Sequence, residues 1–228
     1  MSRRTGSAVF GLIGALLSQC VIASSNRPVI IEEYGDSTTY GWAKINGVYS
    51  QVQRPASAVL GSMLRAKFGP SVTVVNRGVN GSTAGNLLNG DGMNKPWKQQ
   101  MKQSSANVII LNYGINDSRI ESKESVAKFK EIESELVRIA QESGKQVVIA
   151  TSNPVNFAPC KALPDYAAAS ADVARSLSLS LVDQYRYWSA MDWVSLTSDG
   201  AHPSQAGYEA KARREYDVIE PIVAKLAR

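Results

Sequence analysis

The chain has 228 residues, 44% hydrophobic and 20% charged, enough to bury one sizeable core and short for two domains. Its 25 Lys and Arg against 20 Asp and Glu leave a net charge of +5, with no charge run and no basic stripe interleaved with aromatics, so no nucleic-acid partner is expected. Low-complexity tracts and repeats of fixed period are also absent, which excludes solenoid and disordered classes.

At the N-terminus Arg3 and Arg4 precede an uncharged apolar stretch, Ala8 to Leu17, and small or branched residues follow as far as Ala23. This is the layout of a secretory signal peptide over residues 1–23, with cleavage expected after Ala23 and a secreted or periplasmic product. The apolar run is shorter than the roughly 20 residues that cross a bilayer, so no stable membrane insertion is expected after cleavage. Two alternatives stay open: lipidation at Cys20, against which Gln19 weighs, and twin-arginine export at Arg3-Arg4, where Thr5-Gly6 replace the bulky apolar residues that would help. A chain starting at Ser24 keeps one cysteine, Cys160, and so has no disulfide within itself. Cys160 reads as a buried or loop thiol, because no second histidine is there to activate it.

Strands and helices then alternate. Val29-Ile30-Ile31 runs through Glu32-Glu33-Tyr34 as a first strand ending at Gly35. From Arg54 to Phe68 the residues Ala56, Val59, Leu60, Met63 and Leu64 mark one helical face, stopped by Gly69-Pro70. Val72–Val75 is a second strand, and the continuous apolar run Val108–Leu111 reads as a central parallel strand buried on both faces. A long helix follows, with Ser122 as expected N-cap, Val126, Phe129, Ile132, Leu136 and Ile139 at spacings of three and four, and Gly144 at C′. Val147–Ala150 is a fourth strand, Pro164–Leu177 an alanine-rich helix, and Leu179–Val182 a short fifth strand. The last helix starts near Ser204, with Pro221 expected to bend or break it. Strands separated by helices imply an α/β fold: one domain over residues 24–228, a three-layer α/β/α sandwich around a mostly parallel five-stranded sheet.

In such sheets sites form at the carboxyl ends of the strands. Strand one is followed by Gly35-Asp36-Ser37-Thr38, strand two by Asn76-Arg77-Gly78-Val79-Asn80-Gly81-Ser82, and strand three by Asn112-Tyr113-Gly114-Ile115-Asn116-Asp117. Near the end stands Ser198-Asp199-Gly200-Ala201-His202-Pro203. Each motif alone has an ordinary explanation. Gly-Asp-Ser and Asp-Gly are common turns, Asn116-Asp117 can cap a segment, Gly78 and Gly81 can be turn glycines, and a lone histidine is usually solvated or packed. The ordered set carries the signal.

This set resembles the four sequence blocks of the SGNH (GDSL-type) hydrolase family, whose span covers nearly the whole chain after residue 23. The resemblance implies a flavodoxin-like sandwich and a serine esterase in which Ser37 is the nucleophile, Asp199 and His202 complete the triad, and Ser37, Gly81 and Asn116 form the oxyanion hole. Thr38 departs from the Leu of many members, at a position that is not itself catalytic.

The residues support the same roles. A serine hydroxyl needs a base within hydrogen-bond reach, and His202 is the chain's one imidazole. Asp199, three residues earlier, meets its Nδ1 side through a turn at Gly200 and leaves Nε2 free for Ser37. The Ser37 N–H at a helix start, the Gly81 N–H and the Asn116 amide are the donors available to a developing oxyanion. Asp36 adjoins the nucleophile and is read as a hydrogen-bond partner of the turn instead of the triad acid. One histidine and one remaining cysteine make no His/Cys metal cluster, and there is no phosphate-binding Gly-Lys-Ser/Thr loop, so neither metal nor cofactor is expected.

The expected substrate is a short-chain acyl ester, acetyl foremost, of a small molecule or polysaccharide. The segments Asn89–Trp97 and Asn153–Pro159 are polar or mixed where an acyl tunnel would be apolar, and Trp42, Trp97, Trp188 and Trp193 offer flat rings to sugars. A lysophospholipase or thioesterase activity is the alternative, and a carbohydrate-binding protein without turnover is a third reading. Nothing in the sequence sets the oligomeric state or separates hydrolysis from acyl transfer.

Overall fold

The structure, a computed structural model, describes residues 27–228; the expected signal segment 1–23, its expected cleavage site and Cys20 lie outside the described residues. In chain order the elements are β1 (Val29–Gly35), α1 (Ser37–Tyr40), β2 (Trp42–Ile45), β3 (Val48–Gln51), α2 (Ala56–Phe68), β4 (Val72–Gly78), α3 (Ala84–Asn89), α4 (Trp97–Gln103), β5 (Val108–Asn112), α5 (Val126–Glu142), β6 (Gln146–Ala150), α6 (Leu163–Ser176), β7 (Ser180–Val182), α7 (Gln184–Ser189) and α8 (Gln205–Leu226).

Five strands form one parallel sheet in the order β4-β1-β5-β6-β7. The two-residue period of a strand sends alternate side chains to opposite faces. In β5, Ile109 and Leu111 join a core with Leu87, Trp97, Phe129, Leu136 and Tyr166 from α3 to α6, whereas Val108 and Ile110 join one with Leu60, Leu64, Tyr208, Ile219 and Val223 from α2 and α8. Each fully buried aliphatic side chain contributes roughly 1.5–3 kcal/mol, so the middle strand gains from being apolar on both faces. The result is the expected three-layer sandwich.

The strand order fixes where a site can form. After β1 the chain adds β4 on one side, then crosses back to add β5 on the other. The loops leaving the carboxyl ends of β1, β4 and β5 therefore diverge around a crevice, the topological switch point of an open α/β sheet.

Four local expectations are corrected. Ser122 does not cap the long helix; its Oγ donates to Asp117 O and Arg119 O, and Ser125 caps α5 by accepting from Lys128 N at 3.1 Å. Pro221 does not break the last helix, which runs on to Leu226 because Ile219, Ile222 and Val223 beside the proline are buried against the sheet. Trp97 and Trp188 are core residues and offer no face to a sugar. Trp97 donates to Leu136 O at 2.8 Å and meets Tyr34 edge-on at 4.8 Å, and Trp188 donates to Gln184 Oε1 at 3.1 Å. Finally, the antiparallel hairpin β2–β3 and the short helices α3, α4 and α7 have no counterpart in the sequence reading.

Candidate active site

Ser37 is the first residue of α1, a four-residue helix set on the end of β1. Asp36 is its N-cap, its Oδ1 accepting from both Thr38 N and Thr38 Oγ1 at 2.8 Å, as read from the sequence. Burial pushes the Asp36 carboxyl up, against those two hydrogen bonds and the charges of Lys211 and His202. The helix sits this close because Gly78 has no side chain: a Cβ there would lie 2.2 Å from Tyr40 N. As the first helical residue, Ser37 has no partner for its N–H within the helix, which leaves it available to a ligand.

His202 Nε2 lies 3.0 Å from Ser37 Oγ, and His202 Nδ1 lies 2.7 Å from Asp199 Oδ2. Asp199 Oδ1 accepts the backbone N–H groups of Ala201 (3.0 Å) and His202 (2.7 Å) in a tight turn. Gly200 makes that turn in the left-handed region, φ +83°. Partial burial pushes the Asp199 carboxyl up, but the hydrogen bonds from His202 and Ala201 outweigh it and hold the group below the usual carboxylate range. The loop itself is pinned: Asn156 N donates to Gly200 O at 2.7 Å, Asn153 Nδ2 to Ala201 O at 3.1 Å, and Ser198 N to His202 O at 2.8 Å.

The other side is built by the loops after β4 and β5. Asn116 Nδ2 donates one hydrogen to Ser82 O at 3.0 Å, which fixes the amide plane and leaves a second hydrogen. Asp117 ties the same loops together by accepting from Ala84 N (2.7 Å) and Gly114 N (2.9 Å); burial nevertheless pushes its carboxyl up to about 7. Gly81 has φ +75°, and a Cβ there would meet no protein atom within 4 Å. Backbone conformation, more than crowding, is what demands glycine at this position.

Ser37, Gly81, Asn116, Asp199 and His202 all line one cleft of about 470 Å³. Thus every site residue named from the sequence comes to one place. Trp42, Tyr49, Ile115, Arg119, Phe157 and Cys160 complete its walls. The hairpin β2–β3 brings the first two: Lys44 N donates to Ser198 Oγ at 3.0 Å, Tyr208 Oη to Trp42 O at 2.8 Å, and the Tyr49 ring stands edge-on to the imidazole at 6.0 Å. Sequence reasoning missed Tyr49; the turn Asn46-Gly47 between short β-rich runs was the signal that could have found it. Cys160 is buried and free, its thiol pushed up by burial. Among the described residues no group of three or more His, Cys, Asp or Glu is placed to hold a metal ion, and no helix is long and apolar enough to cross a membrane.

The family model described as GDSL-like Lipase/Acylhydrolase matches residues 34–210, from the end of β1 into α8. The chain belongs to this family. It is accordingly a carboxylic ester hydrolase, and the resemblance read from the four blocks is borne out. No curated protein matches the esterase's sequence. Solved structures share its fold at low identity. A lipase/acylhydrolase from Enterococcus faecalis is 19% identical with a TM-score of 0.70, over 85% of this chain and 96% of that one. An aryl esterase from M. smegmatis is 15% identical at 0.67, over 85% and 99%. An acetylxylan esterase from Geobacillus stearothermophilus is 16% identical at 0.64, over 86% and 96%.

Proposed function

We propose that this esterase hydrolyses short-chain acyl esters, acetyl esters of carbohydrates foremost, through an acyl-enzyme on Ser37. The observation that carries the reading is the unbroken relay from Ser37 Oγ through the imidazole to Asp199, opening on a cleft. Oγ attacks the ester carbonyl carbon as His202 Nε2 takes its proton. The oxyanion of the tetrahedral intermediate is received by the N–H groups of Ser37 and Gly81 and by Asn116 Nδ2, each such donor contributing about 3–4 kcal/mol where it matters. The intermediate expels the alcohol, protonated by His202. Water then attacks the acyl carbon, giving its proton to Nε2, and the acid leaves as Ser37 regains its own. Asp199 orients the imidazole and stabilises its charged form.

The acetyl preference is supported by the mixed lining of the cleft, where Asn80, Asn116 and Arg119 interrupt the apolar Ile115 and Phe157; a long-acyl site would be mostly apolar. Trp42 and Tyr49 supply flat rings at its edge, and the fold is shared with an acetylxylan esterase. One observation favours the lipid-directed reading: Phe157 on the cleft wall is 46% exposed, and Ile120, next in sequence to the lining residue Arg119, is 72% exposed, an apolar rim a lipid would use.

A fluorophosphonate probe tests the chemistry. It should label wild type at Ser37, while Ser37→Ala takes no label and loses nearly all turnover, and His202→Ala does nearly the same. Retention of a tenth of wild-type kcat by Ser37→Ala would remove the mechanism. Export completes the proposal: the n-region and short apolar core imply cleavage after Ala23. N-terminal sequencing of protein from its native host should begin near Ser24, and an intact Met1 or Ser2 terminus would contradict export.

A further inference from the structure

A four-residue helix has no stability of its own, since isolated helices shorter than about 12 residues are marginal in water. What holds α1 is visible at its carbonyls. Ser37 O accepts from Gly41 N, Thr39 O from Asn76 Nδ2, and Tyr40 O from Gln51 Nε2. Thr38 O accepts from Lys211 Nζ at 3.3 Å, across 173 positions of sequence.

Lys211 lies on α8 and is wholly buried. Its ammonium also donates to Asn112 Oδ1 at 2.7 Å, an oxygen that Thr39 Oγ1 shares at 3.3 Å. Asn112 in turn donates to Ala150 O and Thr151 O at the end of β6. One ammonium thus joins α8, the ends of β5 and β6, and two successive residues after Ser37.

Removing an ammonium from water costs several kcal/mol, which a neutral tether would avoid. Its surroundings are rich in carboxyls. Glu33 from β1, Glu215 one turn on along α8, and the N-cap Asp36 are all buried around it, and Lys211 favours the ionised form of each. Among the described residues the Glu33 and Glu215 carboxyl oxygens have no hydrogen-bond partner. Burial raises all three carboxyls, and the charge of Glu33 raises Glu215 further. The remaining polar neighbours, Asn112 and Gln184, are uncharged, Gln184 donating to Lys211 O at 2.9 Å.

We infer that Lys211 is a positioning residue for the proposed nucleophile, its buried ammonium fixing the turn that carries Ser37. The placement also follows helix electrostatics, because a cation at the last carbonyls of a helix is favourable. Ser37 Oγ must stay within reach of His202 Nε2, and misplacement by about 1 Å can cost as much as 100-fold in rate. The inference rests on Ser37 as nucleophile.

The test compares Lys211→Met with the charge-neutralised Glu33→Gln/Lys211→Met/Glu215→Gln variant, both as mature enzyme on a p-nitrophenyl ester. Lys211→Met should lower kcat and the rate of fluorophosphonate labelling at Ser37 by about tenfold or more, with KM changed less than about twofold. The triple variant should regain the Tm lost by stranding the carboxyls, but not kcat, because the bonds to Thr38 and Asn112 stay broken. If Lys211→Met does not fold, the triple variant alone carries the kcat comparison. Wild-type kcat in either folded variant, with Ser37 still labelled, would overturn the positioning role. Label at a residue other than Ser37 in wild type would instead overturn the nucleophile reading.

Discussion

Two aspartates flank the Ser37 hydroxyl chemistry with opposite environments. Asp36 is wholly buried, with its Oδ2 lacking a hydrogen-bond partner among the described residues, and is pushed up; Asp199 gathers two backbone N–H groups and the imidazole, and is held down. A depressed carboxyl takes up its proton only at pH below the usual carboxylate range, so Asp199 stays ionised throughout the histidine range. Asp199 should therefore add no step to the acid limb of log kcat/KM, and the carboxyl that shares the window is Asp117, pushed up to about 7 beside Asn116. A limb steeper than slope one on a pH–rate profile, unrelieved by Asp117→Asn, would mean that Asp199 titrates there. The proposed catalytic residues were legible in the sequence because such residue types are scarce: with one histidine in the chain, its candidate carboxylate and serine partners are picked out by spacing and strand ends. Lys211, Glu33 and Glu215 were not legible, since nothing local in a helix or strand pattern says that a charge points inward.

At the scale of elements, β5 and β6 were read where they stand because burial on both faces leaves a continuous apolar run. Errors fell where local and tertiary signals compete. Ser122 and Ser125 are equally good caps by type, and only the bonds from Ser122 to Asp117 O and Arg119 O decide between them. Pro221 costs α8 a backbone hydrogen bond, yet the buried residues beside it hold the helix together. The hairpin β2–β3 was missed because its strands are four residues each and largely exposed, so they carry no apolar alternation and leave the Asn46-Gly47 turn as their signal. That omission mattered for function. The hairpin supplies the Trp42 and Tyr49 wall of the cleft and clasps the loop of Asp199 and His202 through Ser198.

For the molecule as a whole, the two cores on either face of the sheet hold five strands so that loops from β1, β4 and β5, with the late loop before α8, meet at one crevice. The scaffold fixes the ester chemistry; what enters is set by loops and the hairpin, which differ in kind from the core. Here the competing claims on the cleft can be weighed by magnitude. Each methylene moved from water into an apolar groove contributes about 0.8 kcal/mol, close to a fourfold gain in kcat/KM per added carbon. An apolar rim carrying Phe157 and Ile120 that served a long acyl chain would accumulate this gain along a series. A cleft interrupted by Asn80, Asn116 and Arg119 would not, because a lengthening chain would desolvate amides and a guanidinium without satisfying them. The expected profile over p-nitrophenyl esters from acetate to decanoate therefore has its kcat/KM maximum at acetate or butyrate and falls beyond. Acetate should also be released from an acetylated polysaccharide by wild type and not by Ser37→Ala. A maximum at about eight carbons or longer, with no acetate released from the polysaccharide, would assign the cleft to lipid acyl chains, with the Phe157 and Ile120 rim as their path.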